Sequence, residues 1–531
     1  MRQRLSTVVL AISICVSLVL SGAAHAVPTP AACFTSHMVL QRDAPVPVWG
    51  TSFRGERVRV SFAGQTVHAT ADAETGRWRV TLDPMPMSKV GRDMVITGES
   101  RPEPVTLTDV LVGDVWLCSG QSNMAWTLGL LPDASETIAA ADEPLIRQLR
   151  LRQVAASLPR RDVPARGGWR VCTPETAGGF TAVGYHFARK IHAQMGIPIG
   201  LVNVSWNGTR IEPWTAPRGF AAAPELKDIA EQVRKSLPDS PEGQALYLRS
   251  IQDIRDWTAR AEQAIRAGSD LPPMPSLPEV QGGPSTIYHG MVHPLVPMAF
   301  KGVIWYQGES NGSEGDSYFH KKQALIGGWR DLWGHDFPFY FVQLADFQTS
   351  PDDPAGGDGW AQLREAQRKS LTIPKTGMAV AIDIGEANDI HPRNKHDVGK
   401  RLALWALAKD YGQDIVFSGP LYRGHAVEAG TVRVAFDYVG DGLMVGHKEG
   451  TSPTQEVVAG ELAHFAIAGE DRVWHWARAQ IDGEAVLVSS PEVAAPVAVR
   501  YGFRMNPRGA NLYNRAGLPA SPFRTDDWPA E

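Results

Sequence analysis

Residues 31–108 keep a strict two-residue rhythm. Arg57–Phe62 alternates polar and apolar positions, Ala63-Gly64-Gln65 turns, and Thr66–Thr70 resumes the alternation. Glu74-Thr75-Gly76-Arg77 then turns into Trp78–Leu82. Alternation sends every second side chain to the same face of a strand. The spacing therefore predicts short half-buried strands and a small β-sandwich-like domain over residues 27–108. At Asp109 the rhythm changes. Asp109–Cys118 is almost continuously apolar, the pattern of a strand covered on both faces in a parallel sheet.

Strand and helix patterns then alternate. Helix is predicted over Val183–Gln194, ending at Gly196, over Tyr318–Trp333 and over Asn394–Lys409. Strands are predicted over Ile199–Ser205, Gly302–Tyr306, Phe339–Leu344 and Met378–Ile384. Such alternation argues for an α/β fold, an open parallel sheet with helices on both faces, over residues 109–411. Two helical stretches, Pro224–Lys235 and Glu242–Arg266, followed by the Pro-rich Leu271–Pro278, read as a helical insertion over residues 214–285. Strand patterns return at Val432–Phe436 and Val486–Ser489, so residues 412–531 are expected to be β-rich.

The N-terminus adds a compartment. Arg2 and Arg4 precede the 13-residue apolar run Val8–Leu20, and Ala24-His25-Ala26 supplies small residues for cleavage. This is the pattern of a signal peptide over residues 1–26, too short for a membrane span of about 20 residues. Export to a periplasm or the exterior is expected, with no membrane insertion of the mature chain. A formal net charge of −5 without a Lys/Arg cluster argues against a nucleic-acid partner. Outside Cys15, the cysteines Cys33, Cys118 and Cys172 leave room for at most one disulfide, and their spacing suggests no zinc site.

Four polar segments follow predicted strands, at the carboxyl edge where open α/β sheets bind ligands. Gly120-Gln121-Ser122-Asn123-Met124 places a serine on a strand-to-helix turn. Met124 departs from the G-x-S-x-G elbow. Asn207-Gly208-Thr209 offers a glycine whose backbone can approach a ligand. In Trp305-Tyr306-Gln307-Gly308-Glu309-Ser310-Asn311, the Gln307 amide could donate to an oxyanion. Glu309 could orient neighbours or bind sugar hydroxyls, and Asn311 is a candidate for contacting substrate, with helix capping the alternative for Ser310 and Asn311. In Asn388-Asp389-Ile390-His391-Pro392, Pro392 keeps His391 out of helix, placing a base two residues from a carboxylate.

In this order these segments resemble the SGNH (GDSL-like) hydrolases, and more closely the sialate O-acetylesterase family of carbohydrate acetylesterases. Ser36–Gln41, Gly113-Asp114-Val115-Trp116 and Tyr288–Pro294 share the likeness, which runs from about Ser36 to Tyr411. The resemblance implies an SGNH-like sheet, Ser122 as nucleophile and His391 as base. It implies an oxyanion hole from the Ser122 and Gly208 N–H groups with the Gln307 amide, and neither metal nor cofactor. The substrate it implies is an acetylated sugar or polysaccharide. Many SGNH enzymes carry an acid three residues before the histidine, where this chain has Asn388. Asp389, Glu386, Asp383 or a backbone carbonyl could orient His391 instead. Arg210 is a candidate partner for a sialate carboxylate, and Trp206, Trp214 and Trp305 for stacking on sugars. The competing readings are a catalytically silent carbohydrate-binding protein and a hydrolase of lipid or peptide.

Overall fold

One strand organises the molecule. Val105–Gly120 runs unbroken for 16 residues. Its first half pairs with Ser88–Gly98 and Val39–Gln41, and its second half lies parallel between Ile199–Ser205 and Gly302–Tyr306. The structure is a computed structural model that describes residues 28–99, 103–275 and 282–529. The expected signal peptide lies outside the described residues.

The change of rhythm at Asp109 is therefore a bulge inside a strand, and the N-terminal strands and the central sheet are continuous. Asp109 takes φ 54°, and its carboxylate is held by His37 Nδ1 at 2.8 Å and Arg147 Nη2 at 3.0 Å. Above this junction the alternation buries one face. Val58, Val60 and Phe62 pack inward from one sheet, and Trp78, Val80 and Leu82 from the three-stranded sheet that includes Val46–Thr51.

The central sheet runs in the order Arg170–Cys172, Glu143–Arg150, Ile199–Ser205, Val105–Gly120, Gly302–Tyr306, Phe339–Gln343, Thr376–Val380. All but the first of these are parallel. The chain starts in the middle, builds to one side and then to the other, so Val105–Gly120 sits at the topological switch point. Glu143–Arg150 escaped the sequence reading because Arg147 and Gln148 interrupt its apolar pattern. Both are buried: Arg147 donates to Asp109, and Gln148 accepts the Thr181 N–H at 2.9 Å. The strand expected over Met378–Ile384 leaves the sheet after Val380, freeing Ala381 onward to form the loop that carries His391.

Helices Ala182–Met195 and Lys395–Lys409 pack together, as do Asp316–Trp333 and Gly359–Lys369. Asn394 caps the Lys395 helix, its side chain accepting the Asp397 N–H at 2.9 Å. The insertion forms Lys227–Ser236 and the largely exposed Pro241–Ala267. Among the described residues no helix is long and apolar enough to cross a membrane, and Cys33, Cys118 and Cys172 are buried free thiols.

From Leu421 the chain builds three small antiparallel sheets around their own core of Val432, Val434, Phe465, Val486 and Phe523. Tyr411, Ile415, Phe417 and Leu421 still pack on the central core. Its docking is polar and buried. The fully buried Arg364 guanidinium donates to Leu344 O, Ala345 O, Arg504 O and Met505 O at 2.6–2.8 Å, which satisfies a desolvated charge. Lys448 and Asp397, both buried, pair at 2.6 Å.

Candidate active site

Three strand ends converge by register. Gly120 stands opposite both Ser205 and Tyr306, so the turns that follow these three strands leave the same sheet edge. A Cβ on Gly120, which has φ 131°, would sit 2.1 Å from Tyr306 O, so only glycine brings the strands this close. The Gln121 N–H then donates to Tyr306 O at 2.9 Å, pinning the turn. One helical turn, Ser122–Ala125, follows. Ser122 occupies its first position, where a backbone N–H has no acceptor within the helix.

His391 meets this serine across 269 residues. Its Nε2 lies 2.9 Å from Ser122 Oγ, and its Nδ1 lies 3.2 Å from Asp389 Oδ1. The same carboxylate oxygen accepts the His391 backbone N–H at 2.9 Å, so Asp389 folds back on the loop as an Asx turn. A proton on Nδ1 toward Asp389 leaves Nε2 free to accept from the serine. Trp126 stacks on the imidazole with centroids 4.9 Å apart at 29°. The other acids lie elsewhere. Asp383 forms a two-pronged pair with Arg401 at 2.6 and 2.7 Å, and Glu386 accepts the Arg393 N–H at 3.0 Å.

Beneath the pair lies a buried polar network. Asn123 Nδ2 donates to Glu309 Oε1 and, at 3.1 Å, to Ile390 O, the carbonyl beside His391. Lys395 Nζ donates to Asn123 Oδ1 at 2.5 Å and lies 5.4 and 5.7 Å from the Tyr306 and Trp126 ring centroids. One amide thus ties the Ser122 turn to the His391 loop. Burial raises the Glu309 carboxyl above its usual range and lowers Lys395 to about 7, the nearby Glu309 opposing the second shift. His391 is lowered below its ordinary value, first by burial and then by the Lys395 charge, with Asp389 opposing both.

A base must be neutral to accept a proton, so the acid limb of kcat/KM tracks the free-enzyme His391. Lys395→Met removes a charge that disfavours imidazolium, so His391 rises and that limb should move to higher pH. The variant should also lose about 1–3 kcal/mol of stability, because Asn123 Oδ1 loses its buried donor. A pH profile on p-nitrophenyl acetate and a denaturant titration check both. A limb that stays in place or moves lower contradicts the assignment.

Gln307 and Asn311, expected to face substrate, instead bond within the protein, and Glu309 takes the first of its two expected parts, orienting a neighbour. Gln307 is fully buried, its amide protons going to Thr209 O at 3.2 Å and Asn311 Oδ1 at 2.8 Å. It supports the Asn207-Gly208-Thr209 turn from below and does not aim an amide at the cleft. Asn311 is 1% exposed, donating to Glu212 and Glu314 and accepting from Ile211 N and Gln307, which leaves it nothing for a sugar. Glu309 directs Oε1 to Asn123, and its Oε2 is shielded from solvent. Gly208 does face outward. It is exposed, with φ 68° and open space where a Cβ would stand.

Arg210 pairs with Glu212 at 3.1 Å and with Glu314, so its charge is already matched. Trp214 and Trp305 are fully buried and meet edge to face at 5.9 Å, whereas Trp206 is half-buried. Asp114 of the Gly113–Trp116 segment is also a brace, accepting from Gln41 Nε2 at 2.9 Å and from Tyr411 Oη at 2.9 Å. The sequence reading missed Trp126, Asn123 and Lys395. Trp126 stands one helical turn after Ser122, a spacing that could have found it, whereas Lys395 opens a helix that begins only after the His391 loop, so no such spacing marks it. Among the described residues no group of three His, Cys, Asp or Glu side chains could hold a metal ion.

Known proteins share this chain over most of its length. Residues 279–408 match the family model described as carbohydrate esterase, sialic acid-specific acetylesterase. Sialate O-acetylesterase of Rattus norvegicus is 33% identical over 427 residues, which span 73% of this chain and 74% of that protein. The Homo sapiens sialate O-acetylesterase is 31% identical over 430 residues, 74% and 73% of the two chains. Among solved structures, a carbohydrate acetylesterase from Xanthomonas citri superposes with a TM-score of 0.78 at 38% identity, covering 94% of this chain and 100% of its own.

Proposed function

The chain belongs to the sialate O-acetylesterase family, and we infer that it hydrolyses O-acetyl esters of carbohydrate through an acetyl-serine at Ser122. The observation that carries this is the 2.9 Å contact between Ser122 Oγ and His391 Nε2 at the switch-point edge of the sheet. His391 takes the hydroxyl proton as the oxygen attacks the acetyl carbonyl. The tetrahedral oxyanion is met by the Ser122 and Gly208 N–H groups. Its collapse breaks the bond to the sugar oxygen, which leaves with the proton from His391. Water, deprotonated by the same imidazole, then attacks the acetyl-serine and releases acetate and Ser122. Asp389 holds the Nδ1 proton and offsets imidazolium charge in both steps. The N-terminal pattern at Arg2–Ala26 supports placing this chemistry in a periplasm or outside the cell.

The family's substrate is the first expectation, sialic acid acetylated on its glycerol side chain. A second reading, acetylated plant-wall polysaccharide such as xylan or xyloglucan, gains from Arg210. Paired with Glu212 and Glu314, it is no longer a spare cation for a sialate carboxylate. Acetate release from 9-O-acetylated sialic acid and from acetylated hemicellulose, measured side by side, is expected to exceed the uncatalysed rate by at least about 10⁶-fold on one of them. No release from either, together with no labelling of Ser122 by a fluorophosphonate, would leave a silent carbohydrate-binding protein.

A further inference from the structure

The base-bearing loop has two sides. One presents Asp389 and His391 to Ser122. The other forms a wall of a cavity of about 1060 Å³ that opens between the hydrolase body and the C-terminal β region. Glu386, Asn388 and Arg393 line it from the loop, and His447, Arg508 and Asn511 from the β region. Its volume is at the top of the roughly 300–1,000 Å³ range of pockets for a drug-sized ligand, more than one acetylated sugar ring needs.

We propose that this cavity is a glycan subsite, holding the sugar residues that neighbour the acetylated ring on an oligosaccharide or polysaccharide. The proposal rests on the acetylesterase reading and extends it from a single sugar to a chain. Its place is the first reason: Asn388, on its wall, adjoins Asp389, whose carboxylate lies 3.2 Å from His391 Nδ1, so the cavity shares one short loop with the base. Its chemistry is the second. Sugar hydroxyls both donate and accept, and the walls offer both, with Glu386 and Glu461 as acceptors and Arg508 and His447 as donors. Among the described residues Arg508 and His447 form no ion pair, and the Asn388 side chain has no partner. A carboxylate ligand would call for cations in excess, whereas here the carboxylates Asp133, Asp346, Asp383, Glu386 and Glu461 outnumber Arg393, Lys448 and Arg508. Aliphatic strips from Val445 and Val457 suit the apolar faces of pyranose rings.

The walls are fixed in advance, which lowers the cost of binding. Tyr513 Oη donates to Asp383 at 3.2 Å, and Asn394 Nδ2 donates to Gly450 O at 2.9 Å, clamping the β region to the base loop on both flanks.

The test uses the full chain and two variants that act by different routes. Arg508→Ala removes a donor, and Thr451→Trp fills the cavity from an exposed turn. For each, kcat/KM is measured on acetylated xylo-oligosaccharide, on 9-O-acetylated sialic acid and on p-nitrophenyl acetate. The ratio of oligosaccharide to p-nitrophenyl acetate activity is expected to fall by about tenfold or more in both, as the loss of one or two sugar hydrogen bonds would give. An unchanged ratio in both overturns the proposal. An equal fall on all three substrates also overturns it, because the cavity would then act only by steadying the base loop. A fall confined to sialic acid assigns the cavity to that sugar and overturns the chain-binding claim. Wild-type protein that releases acetate from p-nitrophenyl acetate and from neither sugar ester would fail the acetylesterase reading itself, a distinct result.

Discussion

Ser122→Ala is expected to lower kcat/KM for acetyl-ester hydrolysis by about 10⁵-fold, with the thermal unfolding midpoint unchanged within about 1 °C. The size follows from the part the hydroxyl plays. Without Oγ there is no acetyl-enzyme, and hydrolysis is left to water held near two backbone donors, which in comparable serine enzymes costs about 10⁴–10⁶-fold. The stability expectation follows from its contacts. The Ser122 side chain bonds His391 Nε2 and closes no buried network, and alanine at the first turn keeps the helix. Acetate release, with scanning calorimetry on the same preparation, measures both. Activity within tenfold of wild type would remove Ser122 as nucleophile. A fall in midpoint by several degrees would mean that lost activity reported lost structure.

How much of this was legible in the sequence depended on whether a residue's task is local. Strands and helices with strong periodicity were readable to within a few residues, because the period is itself the cause of burial. Ile199–Ser205 and Gly302–Tyr306 match their expected bounds. That Ser122 and His391 come together was readable because each follows a strand, and parallel strands deliver their carboxyl ends to one edge. What a strand end does not disclose is the direction a side chain takes in the turn beyond it. Gln307 and Asn311 stand at the right edge and point into the protein, satisfying Thr209 O and each other. Lys395 failed in the opposite sense. A lysine in a helix's first turn reads as solvated surface, and only the arrival of Asn123, Tyr306 and Trp126 from distant segments buries it. Asp109 shows the same limit at larger scale. Its pattern marks a change of environment, and one strand can pass through two environments without ending.

His391→Ala should cost about as much as loss of the serine, on the order of 10⁵-fold in kcat, whereas Asp389→Asn should cost only about 10²–10³-fold. The imidazole moves a proton in every step, so its removal leaves Ser122 protonated and unreactive near neutrality. Asp389 moves none. Its contact to Nδ1 is 3.2 Å, longer than the 2.7–2.9 Å of a strong charge-assisted bond, and its side chain is 32% exposed, so water shares its role. It also bonds the His391 backbone N–H, a position an Asn oxygen can fill, so the amide variant keeps the loop while losing the charge. Asp389 opposes the burial and the Lys395 charge that lower His391. Asp389→Asn therefore lowers His391 further, and the acid limb of kcat/KM should move to lower pH, opposite to Lys395→Met. Steady-state kinetics across pH on both variants decides the matter. Equal losses for His391→Ala and Asp389→Asn would make Asp389 a full member of a triad. A loss below about threefold for Asp389→Asn would reduce the machinery to Ser122 and His391, with the loop backbone orienting the ring.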